Sequence, residues 1–180
     1  MTAKTNIPIR VVFVCLGNIC RSPVAEAVFR GVVRRRGVES SFMIDSAGTG
    51  SWHVGYAPDD RMRRTAEKRG ISMTNMFARQ FTEQDFLDFD HIFAMDRENL
   101  QDILTIEPHG HGSRGDGDET DAPFRVRLFR EADPEPGNYQ VPDPYYGGKG
   151  GFDDVFEMVA RTSEALVDAF EEEFDLQTDT

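Results

Sequence analysis

One stretch constrains this chain more than any other: Val11-Val12-Phe13-Val14-Cys15-Leu16-Gly17-Asn18-Ile19-Cys20-Arg21-Ser22-Pro23, an apolar run that enters a short loop and leaves it as a helix. Ile9 to Val14 is a continuous β-branched run, the pattern of a strand buried on both faces. Pro23 suits a first helical turn, Val24, Val28 and Val32 repeat at helical spacing, and Gly37 supplies a stop. The loop between strand and helix reads as a phosphate cradle. A cysteine followed after five residues by arginine lets one turn of backbone wrap an oxyanion, its N–H groups inward and the positive end of the helix behind them. Arg21 closes that ring with a planar fork matched to phosphate oxygens. In such surroundings the Cys15 pKa is expected to fall from about 8.5 into the range of about 3.5–7.5 seen at helix N-termini, which makes it a thiolate nucleophile.

Downstream, strand-like and helix-like segments alternate. Phe42 to Asp45 is predicted as a second strand and Pro58 to Arg69 as a helix ended by Gly70. His91 to Met95 and Asp96 to Leu104 form the next strand and helix, and Phe124 to Phe129 the fourth strand. The last helix runs from about Asp153 to Phe174, with Val155, Val159, Thr162, Leu166, Phe170 and Phe174 on one stripe. This order predicts an α/β fold: a small open parallel sheet of about four strands with helices on both faces and the phosphate-binding loop after strand 1. Ligands in such sheets sit beyond the strand C-termini, where Cys15 falls.

With 180 residues, 39% of them hydrophobic, the chain is expected to form one domain over 1–180, with flexible tails at 1–8 and 175–180. A net charge of -12 argues against nucleic acid and anionic membrane surfaces as partners. The run Ile9 to Val14 is too short for a signal h-region or a membrane span, so a cytoplasmic location is expected. The 2 cysteines both lie in the loop and imply neither a disulfide framework nor a metal cluster. Residues 107–122, rich in Gly, Asp and His, read as a flexible surface loop. His109 and His111, beside Asp116, Asp118, Glu119 and Asp121, have metal-ligand chemistry, but the glycines leave nothing to preorganise ligands, so no metal is assigned.

A cysteine that takes a phosphoryl group needs a partner acid, because a phenolate or alkoxide departs more easily when protonated. Asp143 is the candidate. Pro142 and Pro144 stiffen its backbone, and Tyr145 and Tyr146 beside it can wall a pocket for a ring; the same run also reads as a plain proline-bracketed turn.

Over nearly its whole length the chain resembles the low-molecular-weight protein tyrosine phosphatases. The matching residues are Cys15 through Glu26, Asp45-Ser46-Ala47-Gly48-Thr49, Trp52, Ala78-Arg79-Gln80, Met95-Asp96 with Asn99-Leu100, and Asp143-Pro144-Tyr145-Tyr146-Gly147. The resemblance implies Cys15 as nucleophile, Arg21 as phosphate clamp and Asp143 as the acid that becomes the base. Leu16, Gly17, Asn18, Ile19, Cys20 and Ser22 would form and support the loop. Asn18 would hold it in a strained shape, bonded to Ser46 and Ser22, and Ser22 would stabilise the thiolate. Trp52, Tyr145 and Tyr146 would line the substrate mouth, with His53 on the rim. The implied substrates are phosphotyrosine-containing proteins and aryl phosphates, with no cofactor. Animal members carry a histidine where this chain has Met76, so any role of that histidine is absent here.

Three other classes fit less well. Arsenate reductases of this fold relay a disulfide through further cysteines, and none follows Cys20. Protein arginine phosphatases, the nearer alternative, resemble the loop with threonine in place of Ile19 and Asp-Pro-Phe in place of Asp143-Pro144-Tyr145. A phosphopeptide-binding module would lack one of Cys15, Arg21 and Asp143.

Overall fold

The structure, a computed structural model, describes residues 7–107, 125–146 and 151–179. Four parallel strands, β1 (Ile9–Cys15), β2 (Phe42–Gly48), β3 (His91–Ala94) and β4 (Arg125–Leu128), form one sheet in the order β2-β1-β3-β4. β1 is interior, and for this reason its apolar run does not alternate. Val11 and Phe13 look into one core, Val12 and Val14 into the other, and all four are fully buried.

The helices are α1 (Arg21–Arg36), α2 (Asp60–Glu67), α3 (Asp85–Asp88), α4 (Arg97–Ile106) and α5 (Gly151–Phe174). α1 and α5 cover the Phe13 face, while Phe86 of α3 and Ile103 of α4 fill the Val12 face. The expected α/β architecture is therefore the one observed. Phe13 packs against Phe29, Phe93 and Phe129, with ring centroids 5.5, 5.8 and 5.4 Å away, an arrangement that fixes α1, β1 and β3 relative to one another.

Boundaries differ from the sequence reading where a side chain or a strand neighbour decides them. β2 continues three residues past Asp45, because Ser46, Ala47 and Gly48 pair with Phe13, Val14 and Cys15. α2 starts late because the Asp59 carboxylate accepts the Arg61 N–H (2.8 Å) as its N-cap. Asp96 caps α4 in the same way through the Asn99 N–H (2.7 Å), so Asp96 lies before the helix rather than in it. α1 ends as predicted at Gly37, whose φ of 69° is the left-handed conformation of a C-terminal cap. Phe174, placed on the buried stripe of the last helix, is 43% exposed. Part of the predicted C-terminal tail is tied down: the Asp179 N–H donates to the Gly37 carbonyl, and its carboxylate accepts from Ser40. Apart from Glu107, the loop read at 107–122, with His109 and His111, lies outside the described residues.

Candidate active site

In the order β2-β1-β3-β4 the chain leaves β1 to one side for β2 and later returns on the other side as β3, so the crevice beyond their C-terminal ends lies between β1 and β3. Cys15 closes β1 there, and Asp96 follows β3. Between them the residues 16–20 turn into α1.

Asn18 holds this turn. Its φ of 54° is left-handed, a conformation asparagine tolerates at some cost, and its side chain uses every polar atom. Oδ1 accepts the Arg79 N–H (2.9 Å), which directs both amide hydrogens the other way, to Ser22 Oγ (2.9 Å) and Ser46 Oγ (3.0 Å). The two serines therefore accept from Asn18 and donate elsewhere. Ser46 donates to Glu26 Oε2 (2.7 Å). Ser22 lies 3.0 Å from Cys15 Sγ and 3.2 Å from the Ala47 carbonyl, so its hydrogen can serve the sulfur. The Asn18 N–H also points at that sulfur (3.3 Å). At the far end of the network Glu26 receives Arg30 Nε (3.0 Å), although burial pushes its carboxyl pKa up. Met76 stands half-buried beside this group, lining a cavity with Glu26 and Ser46.

Gly48 makes the turn possible. A Cβ there would sit 2.7 Å from the Leu16 carbonyl oxygen and 3.0 Å from the Asn18 nitrogen, both backbone atoms with nowhere to go. Gly17 serves the pocket wall, since a Cβ on it would meet the His53 ring at 2.9 Å.

Arg21 is buried and faces three acceptors at once: Asp96 Oδ2 (2.5 Å), the Val141 carbonyl (3.1 Å) and Asp143 Oδ2 (3.5 Å). Burial works against its charge, yet Cys15, Asp96 and Asp143 together hold the guanidinium above its ordinary pKa. Asp143 itself is half-buried, its Oδ1 accepting the Tyr145 N–H (3.0 Å). Its loop is pinned from behind by the Val141 N–H to the Met95 carbonyl (2.8 Å), Arg130 Nη1 to the Gln140 carbonyl (2.9 Å) and the Arg97 N–H to Gln140 Oε1 (3.1 Å).

Cys15, Leu16, Gly17, Ile19, Cys20, Arg21, Trp52, His53, Asp143 and Tyr145 line one open cavity of about 390 Å³. Leu16 and Ile19 contribute to its apolar lining, and Cys20 is a buried thiol whose pKa is pushed far up by burial and by the charges of Asp59, Cys15 and Asp143. The side chain of Tyr146 lies outside the described part of the structure.

The model of the family described as low molecular weight phosphotyrosine protein phosphatase matches residues 10–176. The chain belongs to that family. A Schizosaccharomyces pombe member, the low molecular weight phosphotyrosine protein phosphatase of that yeast, is 47% identical over 149 residues, 82% of this chain and 88% of the relative. The protein tyrosine phosphatase of Entamoeba histolytica has a similar solved structure, with a TM-score of 0.80 and 35% identity over 92% of this chain and 99% of that one. A Drosophila arginine phosphatase is also similar, with a TM-score of 0.78 and 32% identity over 91% and 98%.

Within this phosphatase site the sequence alone assigns no role to Asp96, Glu26, Gly48 or Arg79, although all four lie in runs that carry the family resemblance. Their roles depend on which strands are neighbours, which no single run of residues states.

Proposed function

We propose that the protein hydrolyses phosphotyrosine in proteins, and small aryl phosphates, through a cysteinyl-phosphate intermediate. The observation that carries this reading is the meeting of Cys15, Arg21 and Asp143 in one cavity, with a serine hydroxyl beside the sulfur. The phosphate monoester is close to a dianion at neutral pH. N–H groups of the 16–20 turn, of which that of Asn18 points at the sulfur, and the Arg21 fork would match its three equatorial oxygens without a cofactor.

Cys15 attacks phosphorus as the thiolate, an S–P bond forms and the P–O bond to the tyrosine ring breaks. Asp143, entering as the carboxylic acid, gives its proton to the departing phenolate oxygen. The resulting carboxylate then takes a proton from water, whose oxygen attacks phosphorus. The S–P bond breaks, inorganic phosphate leaves and the thiolate is restored. Arg21 must turn from Asp143 toward phosphate, and Asp96 and the Val141 carbonyl keep it in the crevice as it does so. Ile19 and Tyr145 favour an aryl substrate over phosphoarginine. We place this activity in one domain spanning the chain and in the cytoplasm, where Cys15 and Cys20 stay as the free thiols they are here. No helix among the described residues is long and apolar enough to cross a membrane.

Phosphotyrosine, phosphoserine and phosphoarginine peptides, turned over side by side with chelator present, test the reading. Phosphotyrosine should be fastest, and Cys15→Ser should abolish turnover while inorganic phosphate still binds. Faster release from phosphoarginine, or substantial activity in Cys15→Ser, would overturn it.

A further inference from the structure

Gln140 stands three residues before Asp143 and is bonded through both of its carbonyl groups. The backbone oxygen accepts Arg130 Nη1 (2.9 Å) and the side-chain oxygen accepts the Arg97 N–H (3.1 Å). Directly before it, Tyr139 has a φ of 65°, a left-handed conformation that a bulky residue keeps only where its surroundings hold it. Beyond it, of the residues from Gln140 to Asp143, only Val141 is buried. The same residues border a second open cavity, of about 370 Å³, together with Arg130 and Met158; among the described residues, none of the 16–20 turn lines it. The acid's loop is therefore placed by Val141 and by hydrogen bonds, with no wall of packed side chains behind it.

Arg130 is the hub of those bonds. It is only 5% exposed, and each of its nitrogens has its own acceptor: Nε donates to Asp133 Oδ2 (2.9 Å), Nη1 to the Gln140 carbonyl (2.9 Å) and Nη2 to the Glu135 carbonyl (2.6 Å). The two carbonyls close the two ends of residues 135–140, the stretch that contains Tyr139, so one rigid plane fixes both ends at once. Asp133 aims that plane. Its side chain is wholly buried and is itself held by Arg161 of α5, through Nε (2.7 Å) and Nη2 (3.0 Å), and by the Glu135 N–H (2.9 Å). A buried ion pair is costly to desolvate, and apolar residues of similar volume often stabilise a fold as well or better. Stability is thus a weak reason for a buried arginine at this place, and geometry is the stronger one.

We propose that Arg130 is a positioning residue for proton transfer by Asp143. Planar and aimed by Asp133, it fixes the Gln140 carbonyl and so the point from which the proline-stiffened run carries the Asp143 carboxyl to the leaving oxygen. The proposal rests on the reading of Asp143 as the general acid of phosphotyrosine hydrolysis. Arg130 lies outside the cavity that holds Cys15, Arg21 and Asp143, so it acts through the loop and not on the substrate. An acid works only within about 2.6–3.2 Å of the oxygen it protonates, and a misplacement of about 1 Å costs about 10² in rate. A short run of chain with one buried residue needs a fixed starting point to meet that tolerance.

The test reads kcat/KM, which reports formation of the S–P bond, on phenyl phosphate and 4-nitrophenyl phosphate, together with inhibition by inorganic phosphate. Phenol needs the proton to leave, whereas 4-nitrophenol leaves well without it. Arg130→Met should lower kcat/KM by about tenfold on phenyl phosphate, part of the roughly 10²–10⁴ that a placed acid contributes, and by less than about threefold on 4-nitrophenyl phosphate, with phosphate inhibition unchanged. Added to Asp143→Ala, it should cost less than about twofold on either substrate, since no acid is left to place. Asp133 keeps Arg161 and the Glu135 N–H in this variant, which favours folding. Should circular dichroism show that it has not folded, Arg130→Lys carries the same comparison, because an ammonium beside Asp133 does not span both carbonyls. Equal losses on the two substrates, a loss that persists without Asp143, or no loss at all overturns the proposal and leaves the phosphatase reading in place. If wild type hydrolyses neither substrate, that reading fails; if Asp143→Ala shows no dependence on the leaving group, the acid lies elsewhere. In both cases the role of Arg130 falls with it.

Discussion

Cys15 closes an interior strand, within a turn whose hydrogen bonds come from residues 18–79, whereas Asp143 stands half-exposed on a loop bracketed by prolines and pinned to elements around Met95, Arg97 and Arg130. The nucleophile side is set by close backbone approach and a side-chain network with no slack. The acid side is set by a few long-range anchors. Arg21 joins the two: it opens the helix that leaves the turn, and its guanidinium reaches Asp96, Val141 and Asp143 on the acid side. The contrast suits the proposed chemistry: the cradle would have to be preorganised for phosphate, while the acid would have to exchange Arg21 for the leaving oxygen and then for water.

Asp143→Ala should produce the largest effect that leaves the cradle intact. On phosphotyrosine, kcat should drop by about 10³, within the usual range for a lost general acid. On an aryl phosphate with a very acidic phenol the loss should be far smaller. Equal losses on the two substrates would place the acid elsewhere and break the division between the two sides. Gly48→Ala strikes the other side. Its Cβ would push on backbone at Leu16 and Asn18, and a shift of about 1 Å in a catalytic turn costs about 10² in rate. The fold should survive by circular dichroism, and undiminished kcat would show that the turn has slack after all.

Asp96→Asn sharpens the comparison at its bridge. Asparagine can still cap α4, so the change isolates the charge on Arg21. Phosphate affinity and kcat/KM should each fall by about tenfold, the size of one weakened charge-assisted hydrogen bond. The smallest effect is on stability. Asp133, behind the acid loop, is buried, yet Arg161, the Glu135 N–H and Arg130 hold its pKa down to about 2. A depressed carboxylate stabilises the fold above its unfolded pKa, near 3.9, and the contribution is lost as pH falls through the folded value. Arg161→Ala should therefore lower the urea midpoint at neutral pH by the equivalent of about 1 kcal/mol, and the gap to wild type should narrow steadily as pH falls from about 4 through about 2. A gap at pH 2 as large as at neutral pH would mean that Arg161 acts by packing instead.

Much of this molecule was legible in its residue order. The run from Val11 to Pro23 showed strand, cradle and helix, because a strand buried on both faces and a proline-opened helix have unmistakable local patterns. The Asp143 run was legible in type but not in place, since nothing between Arg21 and Asp143 in the sequence states that they face one another. Asp96 looked like a helical residue at a strand exit, and its contact with Arg21 follows only from β3 lying beside β1.

The sequence by itself determined which candidate groups the site can offer and that a short turn must bend around them, since residue type sets charge, nucleophilicity and allowed φ. The tertiary structure alone decided that Gly48 leaves room for that turn, that Asn18 is aimed by the Arg79 N–H, and that Asp96 and Val141 hold Arg21 over the crevice. Those are through-space contacts across parallel strands, and parallel strands meet only after a long crossover has brought distant segments side by side.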